Sequence, residues 1–434
     1  MWLKVRYFFC QTFFLVMVLI WFASSAVARE IYVAPSGGRA NGSGTINDPL
    51  DTLGNALKQG KPGDTIVLRG GTHQSGDIWY TGQGGQPGAY LTVDRYPGEQ
   101  AVVTGITSPN GNRLIIESQY VRIQNLVFQG VRINVRHQEV NNWQYSHHVE
   151  ILNNRFSVPT SEVAIYFNCN NGLIQGNIFD PADYGIYLMH GDGNVIRGNY
   201  IRNTARWALH IYDEDKYSTT GEPNPKITNL LVESNVIEGT KSRSGIVISG
   251  GDGSKPPIEI NGVVIRNNLI LNNYDKGIYL AYDGWIKNIE IYNNTIYGNP
   301  GGGIRISQDK QAESITIINN ILSDNGSSHI YCNGKVTNLV VRKNLYWNPT
   351  SVGSGLNDLS PVMGNPLFAD ASAGNFHLKD GSAAIDKGES LTKVIADRNG
   401  NPRPIGSAYD IGAYEYGQGD TTAPAGPKGP CIME

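Results

Sequence analysis

An apolar stretch that ends in Asn and then resumes with a short apolar pair recurs along the middle of the chain. The copies run Val149 to Phe156, Gly172 to Phe179, Asn194 to Ile201, Leu230 to Ile237, Val263 to Ile270, Ile289 to Ile296, Ile315 to Leu322 and Leu339 to Tyr346. Each holds Asn at the same place: Asn154, Asn177, Asn199, Asn235, Asn268, Asn294, Asn320 and Asn344. The steps between them are 23, 22, 36, 33, 26, 26 and 24 residues. A basic period of 22 to 26 with two insertions is a solenoid pattern, in which each unit buries its apolar face against its neighbours. Val121 to Phe128 is an earlier copy with Leu126 in the Asn place.

The pattern within a copy predicts a strand, a bend and a second short strand. Asn tolerates left-handed backbone, and its amide can bond to copies above and below. The Asn column therefore predicts a buried ladder that holds the bend; a ligand-binding array is the alternative. Another strand recurs in every turn, at Val163 to Phe167, Gly185 to Leu188, Ala208 to Ile211, Gly245 to Ile248, Gly277 to Leu280, Gly303 to Ile306 and His329 to Cys332. Its apolar residues flank one variable residue, so they face inward and the variable one faces out. The expected fold is all-β: a right-handed parallel β-helix with an N-terminal capping helix and a C-terminal closing segment.

Residues 1–28 read as a secretion signal, with Lys4 and Arg6, an apolar run from Tyr7 to Phe22, and Ala26-Val27-Ala28. An uncleaved membrane anchor is the alternative. No later segment reads as a bilayer span. The expected organisation is a cap with first coils over 29–115, repeats over 116–350, a closing segment over 351–416 and a loose tail over 417–434. Asp48 to Leu57 predicts the amphipathic capping helix, with Asp48 before Pro49 at its start. Asn365 to Tyr416 departs from the repeat and is expected to close the other end. Within it, Asp386, Asp397, Arg403, Asp410 and Glu415 read as partnered structural charges, with catalytic carboxylates as the alternative.

Removing residues 1–28 takes two basic and no acidic residues from a chain of formal charge −3, which argues against nucleic acid as a partner. Cys169, Cys332 and Cys431 are too few for a disulfide framework. The product is expected to be a monomer, secreted or periplasmic or held at the cell surface.

Ile31 to Gly37, Pro62 to Thr72 and Arg95 to Glu99 resemble the opening of secreted right-handed β-helix proteins, nearest to the family-nine pectate lyases. Ser382 to Asp386, Asp397 to Arg403 and Asp410 to Glu415 resemble the closing segment of such bacterial proteins. The resemblance covers roughly residues 30–416 and implies the fold and a polysaccharide partner. It departs at the chemistry. Where that family has an Asp-Asp-Gly-x-Asp calcium motif, Arg206, Trp207 and His210 stand, and Val247 occupies the place of its catalytic Lys. Tyr184-Gly185-Ile186 begins like a motif of mannuronan C5-epimerases, but Tyr187-Leu188-Met189 replaces the remainder.

The outward residues of the recurring strand form a column: Tyr166, Tyr187, His210, Val247, Tyr279, Arg305 and Tyr331. Exposed aromatics suit the apolar face of a sugar, and they also stabilise sheets by stacking on one another. Tyr166, Tyr212, Tyr279, Tyr331 and Lys276 are candidate substrate contacts on an extracellular polysaccharide. β-Elimination on a uronic-acid polymer needs a base for the C5 proton, a cation at the carboxylate and an acid for the leaving oxygen. His210 is the candidate base and Tyr187 the candidate acid. Arg305, or Ca²⁺ held by Asp213, Glu214 and Asp215, is the candidate cation. Arg305 lies three coils from His210, about 14 Å by strand spacing, which suits a separate subsite better. The acidic run also reads as a solvated turn. C5-epimerisation begins with the same proton removal, and a non-catalytic carbohydrate-binding or cell-surface protein would carry the same aromatic strip.

Overall fold

A computed structural model of the chain describes residues 28–105, 112–136, 146–212, 226–250, 259–282, 285–308, 311–326, 328–348, 352–353 and 355–417. The signal-like segment 1–27, Asp213, Glu214, Asp215, Cys431 and the tail from 418 lie outside the described residues.

The chain winds into a right-handed parallel β-helix, and its coils build three parallel sheets around one core. Leu230, Val263, Ile289, Ile315 and Leu339 are partners across one sheet. Phe128, Phe156 and Phe179 are partners across a second, and their buried rings stack 5.0 Å apart. The third sheet carries the outward column. Its strands are β1 (Ile78–Tyr80), β2 (Asn112–Ile116), β3 (Val131–Val135), β4 (Ile165–Asn170), β5 (Ile186–Asp192), β6 (Leu209–Tyr212), β7 (Ile246–Ser249), β8 (Lys276–Tyr282), β9 (Gly302–Gln308) and β10 (Ile330–Cys332). Inward Ile, Leu, Val and Phe from all three sheets are almost wholly buried. Each such side chain contributes about 1.5–3 kcal/mol by leaving water, set against the entropy of ordering its coil.

The Asn column is a buried ladder. The backbone N–H of Asn154 donates to Oδ1 of Asn177 at 2.9 Å, and the same bond repeats through Asn199, Asn235, Asn268, Asn294, Asn320 and Asn344 at 2.9–3.0 Å. Each Nδ2 also donates to a backbone carbonyl of the preceding coil, as from Asn268 to Val232 at 2.9 Å. The left-handed bend falls one residue earlier than the ladder. Asn153, Ser234, Asn267, Asn293, Asn319 and Lys343 have φ of 49° to 60°. The ladder Asn thus ties coils together while its predecessor turns the chain. At the last coil Asp358 ends the series, accepting from Nδ2 of Asn344 at 3.3 Å and the hydroxyl of Tyr346 at 2.7 Å.

Two expectations about the ends need correction. The capping helix, α1, spans Leu53–Gln59 with Thr52 as its N-cap. Asp48 does not start it; it binds Arg39 and the Ser43 N–H in the preceding loop. The closing segment also behaves differently from expectation. Val352 and Leu356 pack against the core at the last coil, and Val362 and Met363 pair with Leu345 and Tyr346. The remainder runs back along the flank. Phe376, Ala413 and Tyr414 pack on Val236, Leu269 and Leu271. Side chains of three bend residues hold it: Asn267 donates to the Ala396 carbonyl at 2.9 Å, Asn293 to Asp410 at 3.0 Å and Asn319 to Glu389 at 2.8 Å. Within the segment Arg403 and Glu415 form a fully buried ion pair, and Arg403 donates further to the carbonyls of Asp410 and Gly412.

Candidate functional site

The register of the third sheet brings the outward column together. Tyr166 pairs with Tyr187, Tyr187 with His210, His210 with Val247, Val247 with Tyr279, Tyr279 with Arg305, and Arg305 with Tyr331. Small residues at the strand entrances permit this stacking. A Cβ on Gly277 would lie 2.8 Å from the Gly303 carbonyl, and one on Gly303 would lie 2.5 Å from that of His329. Any larger residue there would push neighbouring coils apart.

Around β5 and β6 the aromatics, expected to be exposed, form a closely packed platform two rings wide in which Tyr184, Tyr187 and His210 are only 6–8% exposed. Tyr184 and Tyr187 lie on one coil, and Trp207 and His210 on the next. The His210 ring lies 4.5 Å from Tyr187, 4.8 Å from Trp207, 5.1 Å from Tyr212 and 5.4 Å from Tyr184, within 20° of parallel to each. Tyr166 extends the platform, 5.4 Å from Tyr187. These rings and Tyr279 line an open groove of about 610 Å³. That is ample for a few sugar rings by the usual scale of ligand clefts.

Arginines rim the groove. Arg206 reaches both oxygens of Asp183, with Nε to Oδ1 at 2.8 Å, and its guanidinium lies 4.4 Å from the Tyr184 ring centre. Arg132 pairs with Glu162 and lies 5.6 Å from Tyr166. Arg243 lies over Trp207 at 5.2 Å. Such stacking is favourable because the ring face is electron-rich.

His210 is 8% exposed. Burial, followed by the nearby positive charge of Arg206, pushes its pKa down to about 3. Its imidazole is therefore neutral across ordinary pH, and its Nδ1 has no hydrogen-bond partner among the described residues. Burial pushes the Tyr184 hydroxyl up to about 12, so that phenol stays protonated.

Of the residues singled out by sequence, the groove gathers Tyr166, Tyr187, His210, Tyr212 and Tyr279. Arg305 and Tyr331 lie further along the row. Arg305 donates to Ser307 at 2.8 Å and stacks over Tyr331 at 5.0 Å, three strands from His210. Lys276 is tied to Asp275 at 2.5 Å and sits 4.8 Å from the Tyr279 ring centre. Sequence reasoning met Tyr184, Arg206 and Trp207 only as departures from family motifs, and it passed over Arg132 and Arg243. Aromatics three residues before both Tyr187 and His210 were the available signal. Among the described residues no group of three or more His, Cys, Asp or Glu is placed to hold a metal ion. The proposed Ca²⁺ ligands Asp213, Glu214 and Asp215 lie outside them.

Stacked coils, an asparagine ladder and one aromatic groove define a parallel β-helix protein. The model of the family described as "right handed beta helix region" matches residues 114–287 and 228–365, more than half the chain, and the chain belongs to that family. Pectate lyase PEL9 of Emericella nidulans is 24% identical over 212 residues, covering 43% of this chain and 50% of that protein. The uncharacterized protein YwoF of Bacillus subtilis is 25% identical over 262 residues, covering 58% and 44%. The chain spans about half the length of these curated relatives. Among solved structures, pectate lyase Pel9A superposes with a TM-score of 0.55 at 18% identity, over 89% of this chain and 96% of that one. XylC in complex with xylose gives 0.59 at 10%, over 89% and 98%. A mannuronic acid specific polysaccharide family 6 lyase from human gut microbiota gives 0.53 at 17%, over 77% and 78%. At these identities the likeness is one of fold.

Proposed function

We propose that the protein is an exported, polysaccharide-active β-helix protein that binds its polymer in the groove over β4 to β8 and cleaves uronic-acid chains by β-elimination. The observation that carries this reading is a neutral, ring-stacked imidazole beside a tyrosine, under a rim of arginines.

In this reading the sugar ring lies on the platform with its carboxylate toward Arg206, which takes the cationic role first considered for Arg305. Arg206 stabilises the charge that gathers on the carboxylate as C5 loses its proton. His210 accepts that proton. The electron pair forms the C4–C5 double bond, the C4–O bond breaks, and the Tyr187 hydroxyl protonates the departing oxygen. Solvent returns both proton carriers to their starting states. A carboxylate seated beside His210 counters the positive charge of Arg206, the smaller cause of its low pKa, and so makes the imidazole a better base. Asp213, Glu214 and Asp215, outside the described residues, would be the ligands of any Ca²⁺, which would supply positive charge for the substrate carboxylate.

A second reading is non-catalytic carbohydrate binding. It is favoured by the way His210 is packed among rings as one more member of the platform. Ultraviolet absorbance of the unsaturated product, followed on pectate and alginate with and without Ca²⁺, separates the two. Release of unsaturated ends supports the lyase. Binding without product supports the second reading, and a changed C5 configuration without cleavage marks an epimerase.

A further inference from the structure

The row that carries His210 continues past the groove toward the N-terminal end. Tyr187 pairs with Tyr166, Tyr166 with Asn134, Asn134 with Ile115, and Ile115 with Trp79. Five strand steps separate Trp79 from His210, about 24 Å at the usual spacing. Trp79, on β1, is 59% exposed. Ile115 beside it is wholly buried, so the row offers two accessible aromatic features, the groove and Trp79, with a covered step between them.

One strand joins the two. Arg132 and Asn134 face outward on β3, and Arg136 follows at the same phase. Arg132 reaches the groove at Tyr166. Arg136 reaches the other way, its guanidinium 5.5 Å from the Trp79 ring centre and 3.8 Å from Glu117. Exposed indole and neighbouring guanidinium together present a flat apolar face and a positive charge to solvent. A flat apolar face beside a guanidinium matches a uronic sugar, which has an apolar C–H face and a carboxylate at its edge.

We propose that Trp79 and Arg136 form a distal subsite for the same anionic polysaccharide chain that occupies the groove. This rests on the polymer-binding part of the proposed function and deepens it. The chain would lie along the solenoid axis, leaving the groove past Tyr166 and Arg132 and crossing the covered step to stack on Trp79. Affinity should then depend on chain length, since a short oligomer fills the groove alone whereas a long one engages both places and gains from linkage.

The test compares wild type, Trp79→Ala, Trp79→Phe and Arg136→Ala. Affinity electrophoresis in gels containing alginate or polygalacturonate reports polymer binding, and titration with uronate trimers reports the groove. Trp79→Ala should weaken polymer binding roughly tenfold, about 1.4 kcal/mol, and leave trimer binding unchanged. Trp79→Phe should restore most of the loss, and Arg136→Ala should fall between. Wild-type tryptophan fluorescence should change on adding polymer, and that change should shrink in Trp79→Ala. Equal polymer affinity in Trp79→Ala and wild type overturns the subsite, as does an equal loss for polymer and trimer. Polymer binding without unsaturated product overturns the lyase and leaves the subsite standing. Normal cleavage with unchanged polymer affinity in Trp79→Ala does the reverse. If wild type binds neither polymer, both proposals fall.

Discussion

Tyr187 and His210 are paired positions on neighbouring coils, 23 residues apart in sequence, with rings stacked 4.5 Å apart and 20° from parallel. Neither strand alone brings an imidazole against a phenol ring. The coil repeat does so, because it sets strands side by side at a fixed register.

That pair carries the first prediction. His210→Ala should lower the rate of unsaturated-product formation on the responsive polymer by about 10²–10⁴-fold, the usual worth of a general base. Tyr187→Phe keeps the ring stack and removes only the hydroxyl, so it should lower turnover and leave polymer affinity near wild type. An undiminished rate in His210→Ala would clear that residue of the proposed role.

His210 also ties stability to acid. Its folded pKa, about 3, lies below the ordinary 6.5, so the unfolded chain binds the extra proton more readily. The contribution is fully present above about pH 6.5 and is lost as pH falls toward 3, by roughly 5 kcal/mol at most. Urea titrations between pH 7 and pH 4 should show wild type losing stability faster than His210→Phe. Parallel curves would remove His210 as a cause of acid sensitivity.

Arg206 should control both the imidazole and the substrate. Replacing it by Gln removes the second cause of the depressed His210 pKa and leaves burial in place. The pKa read by NMR should rise but stay below 6.5. The KM for a uronate polymer should increase more than kcat falls, because the carboxylate loses a ground-state partner as well. An unmoved His210 titration would contradict the electrostatic link.

The ladder has a stability signature. Asn268→Ala removes the acceptor for the Asn235 N–H and Nδ2 and the donor to the Val232 carbonyl. Orphaned buried groups make this cost roughly 2–4 kcal/mol, measurable as a lower urea midpoint. Substituting an exposed Asn such as Asn47 should cost far less. Similar losses at both positions would mean that the ladder contributes little.

A buried ion pair organises the interior of the flank segment. Glu415→Ala leaves the Arg403 guanidinium buried without its carboxylate, an arrangement that costs about 3–5 kcal/mol. Proteolysis should then cut within residues 365–417 well before it attacks the coils. Replacing Arg403 and Glu415 together by Met and Leu should recover much of that loss, since packing substitutes for the charges.

The repeat by itself determined the solenoid, the buried Asn column and the outward row. Periodicity reports which residues share a face, and local alternation reports which point inward, so both are written along the chain. The ends were less legible. Thr52 rather than Asp48 caps the helix because side-chain geometry, not the presence of Pro49, selects the N-cap. The flank docking of residues 365–417 was invisible, because its anchors, Asn267, Asn293 and Asn319, look like ordinary bend residues until their side chains are seen to face it.

The site divides in the same way. Tyr187, His210 and Tyr166 were readable as one row, since each occupies the variable place of its strand. Trp207, Tyr184, Arg206 and Asp183 come from the turns before those strands, where no two-residue alternation applies. Only the tertiary structure decided that their rings lie parallel to His210, that Arg206 stands beside it, and that Arg305 stands three strands away. Distances across coils follow from insertions, bulges and turn shapes, and these add up in space rather than along the sequence.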